Sequence, residues 1–260
     1  MKEISRLKWN GFGKEFESLI NGIRQVLNHS KNQMCLVNNV PIDDDNKAFL
    51  SIANGLGGEI LRDSRMPSRA MECDGRIYRV EEDPLNIDPY AHSATNEHFS
   101  LHTDCAHFLS PPEIMMLLTC QPSETGGKTI LVHLDDLLLK LNEQTKKDLS
   151  QMEFPWWKGG PRNVSAPILT KAKDDENWLI RFNQSTLKRE MNEMEFGTAS
   201  SLQSLIDVLN RLEKDSNHLI TLSSGDLLIV HNQRVLHGRT AFSSGSPRLL
   251  KRLRMRLSNL

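Results

Sequence analysis

The order of the apolar segments along the chain is the feature that most constrains its fold. Short apolar or alternating segments, typical of strands, dominate the middle and the end, whereas segments with helical spacing fall into two blocks. The strands therefore do not alternate regularly with helices, which argues against a doubly wound parallel sheet. We expect a mostly β protein with flanking helices, built on a double-stranded β-helix (jelly-roll) core.

Local patterns assign the individual elements. Helices are predicted over residues 13–28, 44–56, 134–152 and 200–214, and strands over residues 34–37, 76–80, 114–120, 129–132, 178–182, 226–230, 234–237 and 248–257. We expect a single domain, with a helical N-terminal part over about residues 1–75 and the jelly-roll core over about residues 76–257. The segment 154–176, rich in Pro, Gly and charge, is predicted to be a long loop, and long loops of this kind are often lids. Trp156 and Trp157 are core anchors or part of this lid, and core is the simpler interpretation.

Composition disfavours several classes of function. The chain has 260 residues and a net charge of -1, so neither nucleic acid nor an anionic membrane is an expected partner. No apolar run approaches the roughly 20 residues that span a bilayer. No apolar stretch follows the N-terminus, as it would in a signal peptide. The four cysteines are scattered singly without a C-x-x-C spacing, so we expect a reduced, cytoplasmic protein.

A His-x-Asp motif is the first candidate for chemistry. In an extended segment His102 and Asp104 point to the same face, because side chains alternate along a strand. His237 ends a later apolar strand and is followed by glycine, which allows another backbone to approach closely. Two histidines and one carboxylate form the facial triad of iron(II) oxygenases. His231 and His107 compete for the third position, and each histidine taken singly is also compatible with a satisfied polar group at a strand end.

The segment from Arg248 to Leu257 adds an anion-binding pattern. It could be a basic amphipathic helix or a nucleic-acid patch, but the strict alternation from Arg252 onward predicts a strand. One face of this strand carries arginines and the other apolar residues, namely Arg248, Arg252, Arg254 and Arg256 against Leu249, Leu253, Met255 and Leu257. Arginines that face a cavity need anionic ligands, because unpaired buried charge is costly. A dicarboxylate that chelates iron at one end and binds arginine at the other fits this row.

Several ordered motifs resemble the iron(II)/2-oxoglutarate dioxygenases of the taurine dioxygenase superfamily. These motifs are His102-x-Asp104, Gly126-Gly127-Lys128-Thr129, His237-Gly238-Arg239 and Arg248-x-x-x-Arg252. The run from Asn232 to Arg239 is similar to an Asn-Arg-Arg-x-x-His-Gly-Arg run of the clavaminate synthase-like branch, with Gln233 where arginine is common. The resemblance covers about residues 79–257.

The resemblance implies a role for each motif. It implies His102, Asp104 and His237 as ligands of Fe(II), Thr129 and Arg248 as contacts of the distal carboxylate of 2-oxoglutarate, and Arg252, Asn96, Glu97 and His98 as substrate contacts. It further implies an O2-dependent reaction that releases succinate and CO2 and hydroxylates an unactivated carbon. Desaturation or cyclisation in secondary metabolism is the alternative outcome, whereas Asp104 argues against halogenation, because related halogenases replace this carboxylate with a small residue.

Other interpretations of these residues stay open in the sequence. Arg252 with Glu97 suits a zwitterion, so a free amino acid or a related small metabolite is the predicted substrate. Thr129 could instead be an ordinary strand residue, Arg252 a surface charge and Glu97 a solvated acid. Arg239 could bind the oxoacid or pair with a carboxylate, and Arg181 could face the substrate. A zinc hydrolase would use the same three ligands but leaves the arginine strand unexplained, and a non-catalytic binding module is the third possibility.

Overall fold

Strands outnumber helices in the computed structural model, which describes residues 3–29, 32–62, 70–86, 91–157, 164–172, 177–187 and 196–257. The helices in these ranges are α1 Lys14–Asn28, α2 Lys47–Leu56, α3 Leu134–Leu138, α4 Glu143–Gln151 and α5 Phe196–Lys214. The strands are β1 Ser5–Lys8, β2 Met34–Asn38, β3 Glu59–Ile60, β4 Met71–Glu72, β5 Ile77–Val80, β6 Phe99–His102, β7 Ile114–Gln121, β8 Thr129–His133, β9 Phe154–Trp156, β10 Val164–Ala166, β11 Leu169–Lys171, β12 Trp178–Ile180, β13 Leu219–Ile220, β14 Leu227–His231, β15 Val235–Arg239 and β16 Leu249–Arg256.

Two sheets organise the molecule. The larger, eight-stranded sheet has the order β1-β2-β14-β7-β16-β5-β4 with β3 paired to β16, and the smaller has the order β13-β8-β15-β6. Strands β1 and β2 are parallel, whereas β16 is antiparallel to β7 and β5, and β15 is antiparallel to β6 and β8. The larger sheet is therefore mixed and the smaller one antiparallel, and both bring residues from distant parts of the chain into register.

Three apolar clusters hold the layers together. One lies between α1, α2 and the larger sheet, and a second lies between the smaller sheet and helices α3, α4 and α5. The third cluster joins the facing sides of the two sheets, where Met34 and Leu228 of the larger sheet pack with Leu131 and Val235 of the smaller. The space between the sheets therefore has an apolar floor. No helix within the described ranges is long and apolar enough to cross a membrane.

The helix predictions differ from the structure mainly at the helix ends. Helix α2 begins at Lys47 rather than at residue 44, because Asn46 adopts a left-handed conformation with φ 57°. The single helix predicted over residues 134–152 is wrong, since it is two helices, α3 and α4. Asn142 is extended, and its side chain accepts a hydrogen bond from Thr145 N at 2.7 Å. Asparagine favours this N-cap geometry over the interior of a helix, which explains the break.

The prediction of a helical N-terminal part over residues 1–75 was wrong in one respect. Strands β1, β2, β3 and β4 lie in this region and belong to the larger sheet. Four consecutive residues of β2 are buried, so the strand needs cover on both faces. Cys35 and Val37 pack in the cluster with helices α1 and α2, and Met34 and Leu36 pack in the cluster between the two sheets, so both faces of β2 are covered. The single-domain organisation stays a prediction.

The long loop predicted over residues 154–176 was also wrong for the described residues. Strand β9 pairs with β10, and β11 pairs with β12, both antiparallel. Trp156 is fully buried and its Nε1 donates to Ala166 O at 3.0 Å, so it anchors the core as the simpler interpretation had it. Residues 158–163 and 173–176 lie outside the described ranges, and the lid role stays a prediction.

Candidate metal centre

Pairing on the smaller sheet determines which side chains meet. On β15, Val235 packs between the two sheets while Leu236 packs against the helices, so the alternating positions that include His237 face the space between the sheets. The register of β15 with β6 then places His237 opposite His102. Gly238 permits this pairing, because a Cβ at that position would lie 2.8 Å from the Phe99 carbonyl oxygen.

The three predicted metal ligands converge. The Nε2 atoms of His102 and His237 each lie 3.7 Å from Oδ1 of Asp104. One ligand-type atom from each residue can be chosen so that all lie within 4.8 Å of one another, and all three residues are buried. Strand β6 ends at His102, so the extended geometry considered for the motif does not reach Asp104, which begins a turn in which Cys105 has φ 58°. The ligands therefore meet through this turn and not through simple strand alternation.

His102 is held in the orientation that a metal ligand needs. Its Nδ1 donates to Ser100 O at 2.8 Å, which leaves the lone pair on Nε2. The ring of Phe99 stacks on the imidazole with a centroid separation of 3.9 Å. Burial, together with the neighbouring His237, lowers the pKa of His102 to about 4, so the ring is neutral at physiological pH. A neutral, oriented imidazole is the form that binds a metal.

Asp104 is kept ionised and its backbone is clamped. Burial acts to raise the pKa of Asp104, but Arg252 and Arg254 outweigh it and hold the pKa well below its ordinary value. The side chain of Asn232 accepts from Asp104 N at 2.7 Å and donates to Asp104 O at 3.0 Å and to Pro112 O at 2.9 Å. The sequence pointed to Asn232 only as part of a family-like run and suggested no role for it.

A single cavity brings the predicted groups together. It encloses about 490 Å³ of empty space, part of it open to solvent. Its lining contains His102, His237, Thr129, Arg248 and Arg252. Thr129 is buried, as are both arginines, so Arg252 is not a surface charge. A buried position on β8 also suits an ordinary strand residue, so both interpretations of Thr129 stay open.

Two arginines make part of this cavity cationic. The guanidinium carbons of Arg239 and Arg248 lie 4.8 and 5.2 Å from the ring centroid of Phe242. Arg239 Nε and Arg248 Nη1 are buried and have no hydrogen-bond partner among the described residues. Burial, followed by repulsion from Arg239, lowers the pKa of Arg248 to about 9, which still leaves it protonated at neutral pH. Buried cationic donors of this kind fit an anionic ligand.

Arg252 faces both the cavity and Asp104. Its Nη1 lies 3.4 Å from Oδ1 of Asp104, and its guanidinium carbon lies 5.0 Å from the centroid of Tyr78. Its Nε is buried and has no hydrogen-bond partner in the part of the chain that the structure describes. Part of the predicted arginine row is thus neutralised by the carboxylate of a candidate metal ligand. The sequence had assigned anionic small molecules alone to this task.

The other three predicted substrate contacts are not among the described residues that line the cavity. Asn96 Nδ2 donates to Phe242 O at 3.3 Å, and Glu97 is exposed. His98 is exposed too, and its Nε2 lies 2.9 Å from Oε2 of Glu213 on α5. Their role in substrate binding stays a prediction that the geometry does not support.

Arg239 and Arg181, whose roles the sequence left open, both donate hydrogen bonds to backbone carbonyl groups. Arg239 Nη2 donates to Thr95 O at 2.7 Å and to Glu97 O at 2.6 Å, so it ties β15 to the segment before β6. Arg181, which in the sequence could have faced the substrate, is not among the described residues that line the cavity. Its guanidinium instead donates to the carbonyls that follow the metal motif, which belong to Ala106, Phe108 and Leu109.

Arg234 was missed by the sequence analysis. It is almost fully buried and binds Gln33 Oε1 at 2.7 Å, Asp135 Oδ1 at 2.8 Å and the carbonyl oxygen of Trp178. The competing ligand His231 does not belong to the group of converging ligand atoms. Burial, followed by Arg234, lowers the pKa of His231 to about 4. A buried arginine beside a predicted strand turn carries no local sequence signal that distinguishes it from a surface arginine.

Comparisons with known proteins agree on the family. The model of the family described as "Taurine catabolism dioxygenase TauD, TfdA family" matches residues 6–254. Gamma-butyrobetaine dioxygenase of Homo sapiens is 24% identical over 210 residues, which make up 76% of this chain and 53% of that protein. The chain therefore spans about half the length of the curated relatives it matches.

Solved structures show the same fold. Asparagine oxygenase in complex with Fe(II), 3-hydroxyasparagine and succinate superposes with a TM-score of 0.73 at 18% identity, over 95% of this chain and 80% of that one. The non-haem iron oxygenase OrfP in complex with Fe and alpha-ketoglutaric acid superposes with a TM-score of 0.69 at 14% identity, over 94% of this chain and 80% of that one. Because the family model matches nearly the whole chain, the protein belongs to the TauD/TfdA dioxygenase family.

Proposed function

We propose that this protein is an Fe(II)- and 2-oxoglutarate-dependent dioxygenase that hydroxylates an unactivated carbon of a small amino-acid-like substrate, with release of succinate and CO2. The observation that carries the proposal is the convergence of His102, Asp104 and His237 in a cavity that also holds buried, unpaired arginine nitrogens. We further propose that the two facing sheets form a double-stranded β-helix, since the third apolar cluster joins their facing sides.

The donor set fits iron(II). Two imidazoles and one carboxylate are the facial triad that leaves further positions open for oxygen and a co-substrate. His102, Asp104 and His237 would hold the metal. When bound, the iron and the oxoacid together supply the activation of O2, while the protein positions the target carbon and excludes water.

The cationic end of the cavity fits the second carboxylate of 2-oxoglutarate. Arg248 and Thr129 would hold it, since both are buried and line the same cavity as the histidines. Buried Arg248 Nη1 has no hydrogen-bond partner in the described structure, and a carboxylate would supply one. A zinc hydrolase has no use for such a subsite, which favours the oxygenase.

The remaining lining of the cavity suits a small substrate. Phe99, Met115 and Leu117 give it apolar walls that exclude water from a target carbon. Arg252 would bind an acidic group of the substrate. The relatives suggest amino acids or related zwitterions, because the named proteins act on gamma-butyrobetaine or bind hydroxyasparagine. Glu97 is exposed and adds no support for the zwitterion.

Anaerobic reconstitution tests the proposal. Purified protein with Fe(II) and 2-oxoglutarate under argon is expected to develop a weak visible charge-transfer band, because the oxoacid chelates iron held by the protein. Exchange of His237 for alanine removes one ligand and is expected to abolish the band. The matched control is His98→Ala, which changes an exposed histidine outside the cavity and is expected to keep the band. Absence of the band in the wild-type protein, with tight zinc binding instead, would contradict the proposal.

A substrate panel tests the reaction. Amino acids and related zwitterions are incubated with the reconstituted protein and O2, and succinate and product mass are recorded. Hydroxylation adds one oxygen to the product, whereas desaturation or cyclisation removes two hydrogens. Succinate formation that amino acids never stimulate, but sulfonates or larger acids do, would contradict the substrate class and leave the cofactor assignment intact.

A further inference from the structure

The two carboxylate oxygens of Asp104 have different surroundings. Oδ1 lies 3.7 Å from the Nε2 atoms of both His102 and His237. Oδ2 accepts a hydrogen bond from Arg254 Nε at 2.8 Å. One oxygen therefore faces the metal ligands and the other faces a cation.

Strand β16 determines this arrangement. Alternation along the strand puts Arg252 and Arg254 on the face directed between the sheets, and pairing with β7 places Arg254 opposite Met115. Arg256, two residues further on the same face, reaches Ser110 O at 2.9 Å and lies 3.7 Å from Oε2 of Glu59. Of these arginines, Arg254 makes the short hydrogen bond to Asp104, and it makes it to Oδ2, so Oδ1 is left accessible.

We propose that Arg254 is a positioning residue that holds Oδ2 of Asp104, so that Oδ1 alone is presented to the metal. A free carboxylate rotates about its Cβ–Cγ bond and can offer either oxygen or both. A short, charge-assisted hydrogen bond to Oδ2 removes this freedom. Because Asp104 lies in a turn beyond the end of β6, the strand itself does not orient the side chain, and an outside partner has to do so.

Arg252 is less suited to this task. Its contact with Asp104 is 3.4 Å long and is made to Oδ1, the oxygen that faces the histidines. A metal at Oδ1 would compete with Arg252, whereas the Arg254 contact leaves Oδ1 free. Arg252 therefore serves the cavity, and Arg254 holds the metal ligand Asp104.

A positioning role and a purely electrostatic role for Arg254 predict opposite effects on metal affinity. A guanidinium beside the site repels a divalent cation, so a bystander arginine would weaken metal binding. Removal of a bystander would then tighten the binding of the metal. Removal of a positioning residue weakens it, and partners of metal ligands typically contribute about 10–100-fold to metal affinity.

Titration with Mn(II) measures this difference without 2-oxoglutarate or turnover. The sharp EPR signal of free Mn(II) reports the fraction that is not bound to wild-type protein, Arg254→Met, Arg254→Lys and Arg256→Met. We expect Kd to rise by about 10-fold or more in Arg254→Met. We expect part of the affinity to return in Arg254→Lys, which can still donate to Oδ2, and no change beyond about twofold in Arg256→Met.

The inference rests on the proposed metal site, and the titration separates the two. Wild-type protein that binds no Mn(II) would overturn the proposed function and this inference together. Wild-type protein that binds one Mn(II) while folded Arg254→Met binds it equally well or more tightly overturns the inference alone. Circular dichroism checks the fold, and if Arg254→Met is unfolded, Arg254→Leu, which also lacks a donor, takes its place with the same expectation.

Discussion

At the scale of single residues, the chemistry of the site depends on charges that the fold leaves without partners. Arg248 and Arg239 lie close enough for Arg239 to depress the pKa of Arg248, and no acid among the described residues forms an ion pair with either. Such a pair is costly in an empty cavity and favourable around a dicarboxylate.

Replacement of Arg248 by methionine tests this. Loss of a buried, charge-paired donor is expected to weaken 2-oxoglutarate binding by about 2 kcal/mol or more, roughly 30-fold. The charge-transfer band titrated with 2-oxoglutarate under argon measures the affinity. Arg256→Met, on the same strand face but outside the cavity, is the control. Unchanged affinity in Arg248→Met would mean that another group binds the oxoacid, and Arg239, which also lines the cavity, would be tested next.

The side chain of Asn232 holds the main chain of Asp104 through hydrogen bonds to its N and O atoms. Asn232→Ala removes three hydrogen bonds and leaves buried backbone groups of Asp104 and Pro112 unpaired. We expect the free energy of unfolding to fall by more than about 2 kcal/mol, because each unsatisfied buried group costs about 1–3 kcal/mol. Urea unfolding of the metal-free protein measures it. Asn217→Ala, at an exposed position, is expected to change little, and equal stability of the two variants would refute the clamp.

At the scale of elements, the pairing of β15 with β6 brings the two histidines together. The pairing requires a residue without a side chain at position 238, because the obstacle is the backbone oxygen of Phe99, which cannot swing aside. The local sequence signalled this correctly, as a glycine directly after a candidate ligand. Elsewhere local pattern failed, as at Asn142, where capping chemistry divided one predicted helix into two.

Gly238→Ala is expected to push β15 and β6 apart. Overpacking against a backbone atom costs about 1–3 kcal/mol of stability, and displacement of His237 from His102 should also weaken Mn(II) binding. Gly22→Ala, in helix α1, is the matched control. Its Cβ would lie 3.5 Å from a methyl group of Leu7, which is an ordinary van der Waals contact. We expect Gly22→Ala to be neutral or more stable by up to about 1 kcal/mol. If Gly238→Ala unfolds and binds Mn(II) as the wild-type protein does, the close approach of β15 to β6 is not needed for stability or for the metal site.

At the scale of the whole molecule, the metal site links parts of the chain that are far apart in sequence. His102 and Asp104 come from β6 and the turn after it, whereas His237 comes from β15. A metal that binds this folded arrangement and not the unfolded chain stabilises the fold by mass action.

Thermal unfolding with and without Mn(II) measures this linkage. At a free Mn(II) concentration 100-fold above Kd, the folded state should gain about 2.7 kcal/mol, seen as a rise in Tm. The gain should disappear in His237→Ala and persist in His98→Ala, each compared with its own metal-free sample. A gain that survives in His237→Ala would mean that Mn(II) binds elsewhere.

The sequence by itself determined the type of most elements, the His-x-Asp motif, and the alternation that places Arg252 and Arg254 on one face of β16. These features are local, because period, glycine position and residue type act over a few neighbours. The family-like run already pointed to His237 as the histidine that joins the motif. The tertiary structure alone decided which arginines are matched by Asp104, that Glu97 is exposed, and that Asn232 and Arg234 are buried. Those outcomes depend on strand register and on packing between segments over a hundred residues apart, and no local pattern encodes the distance between two such segments.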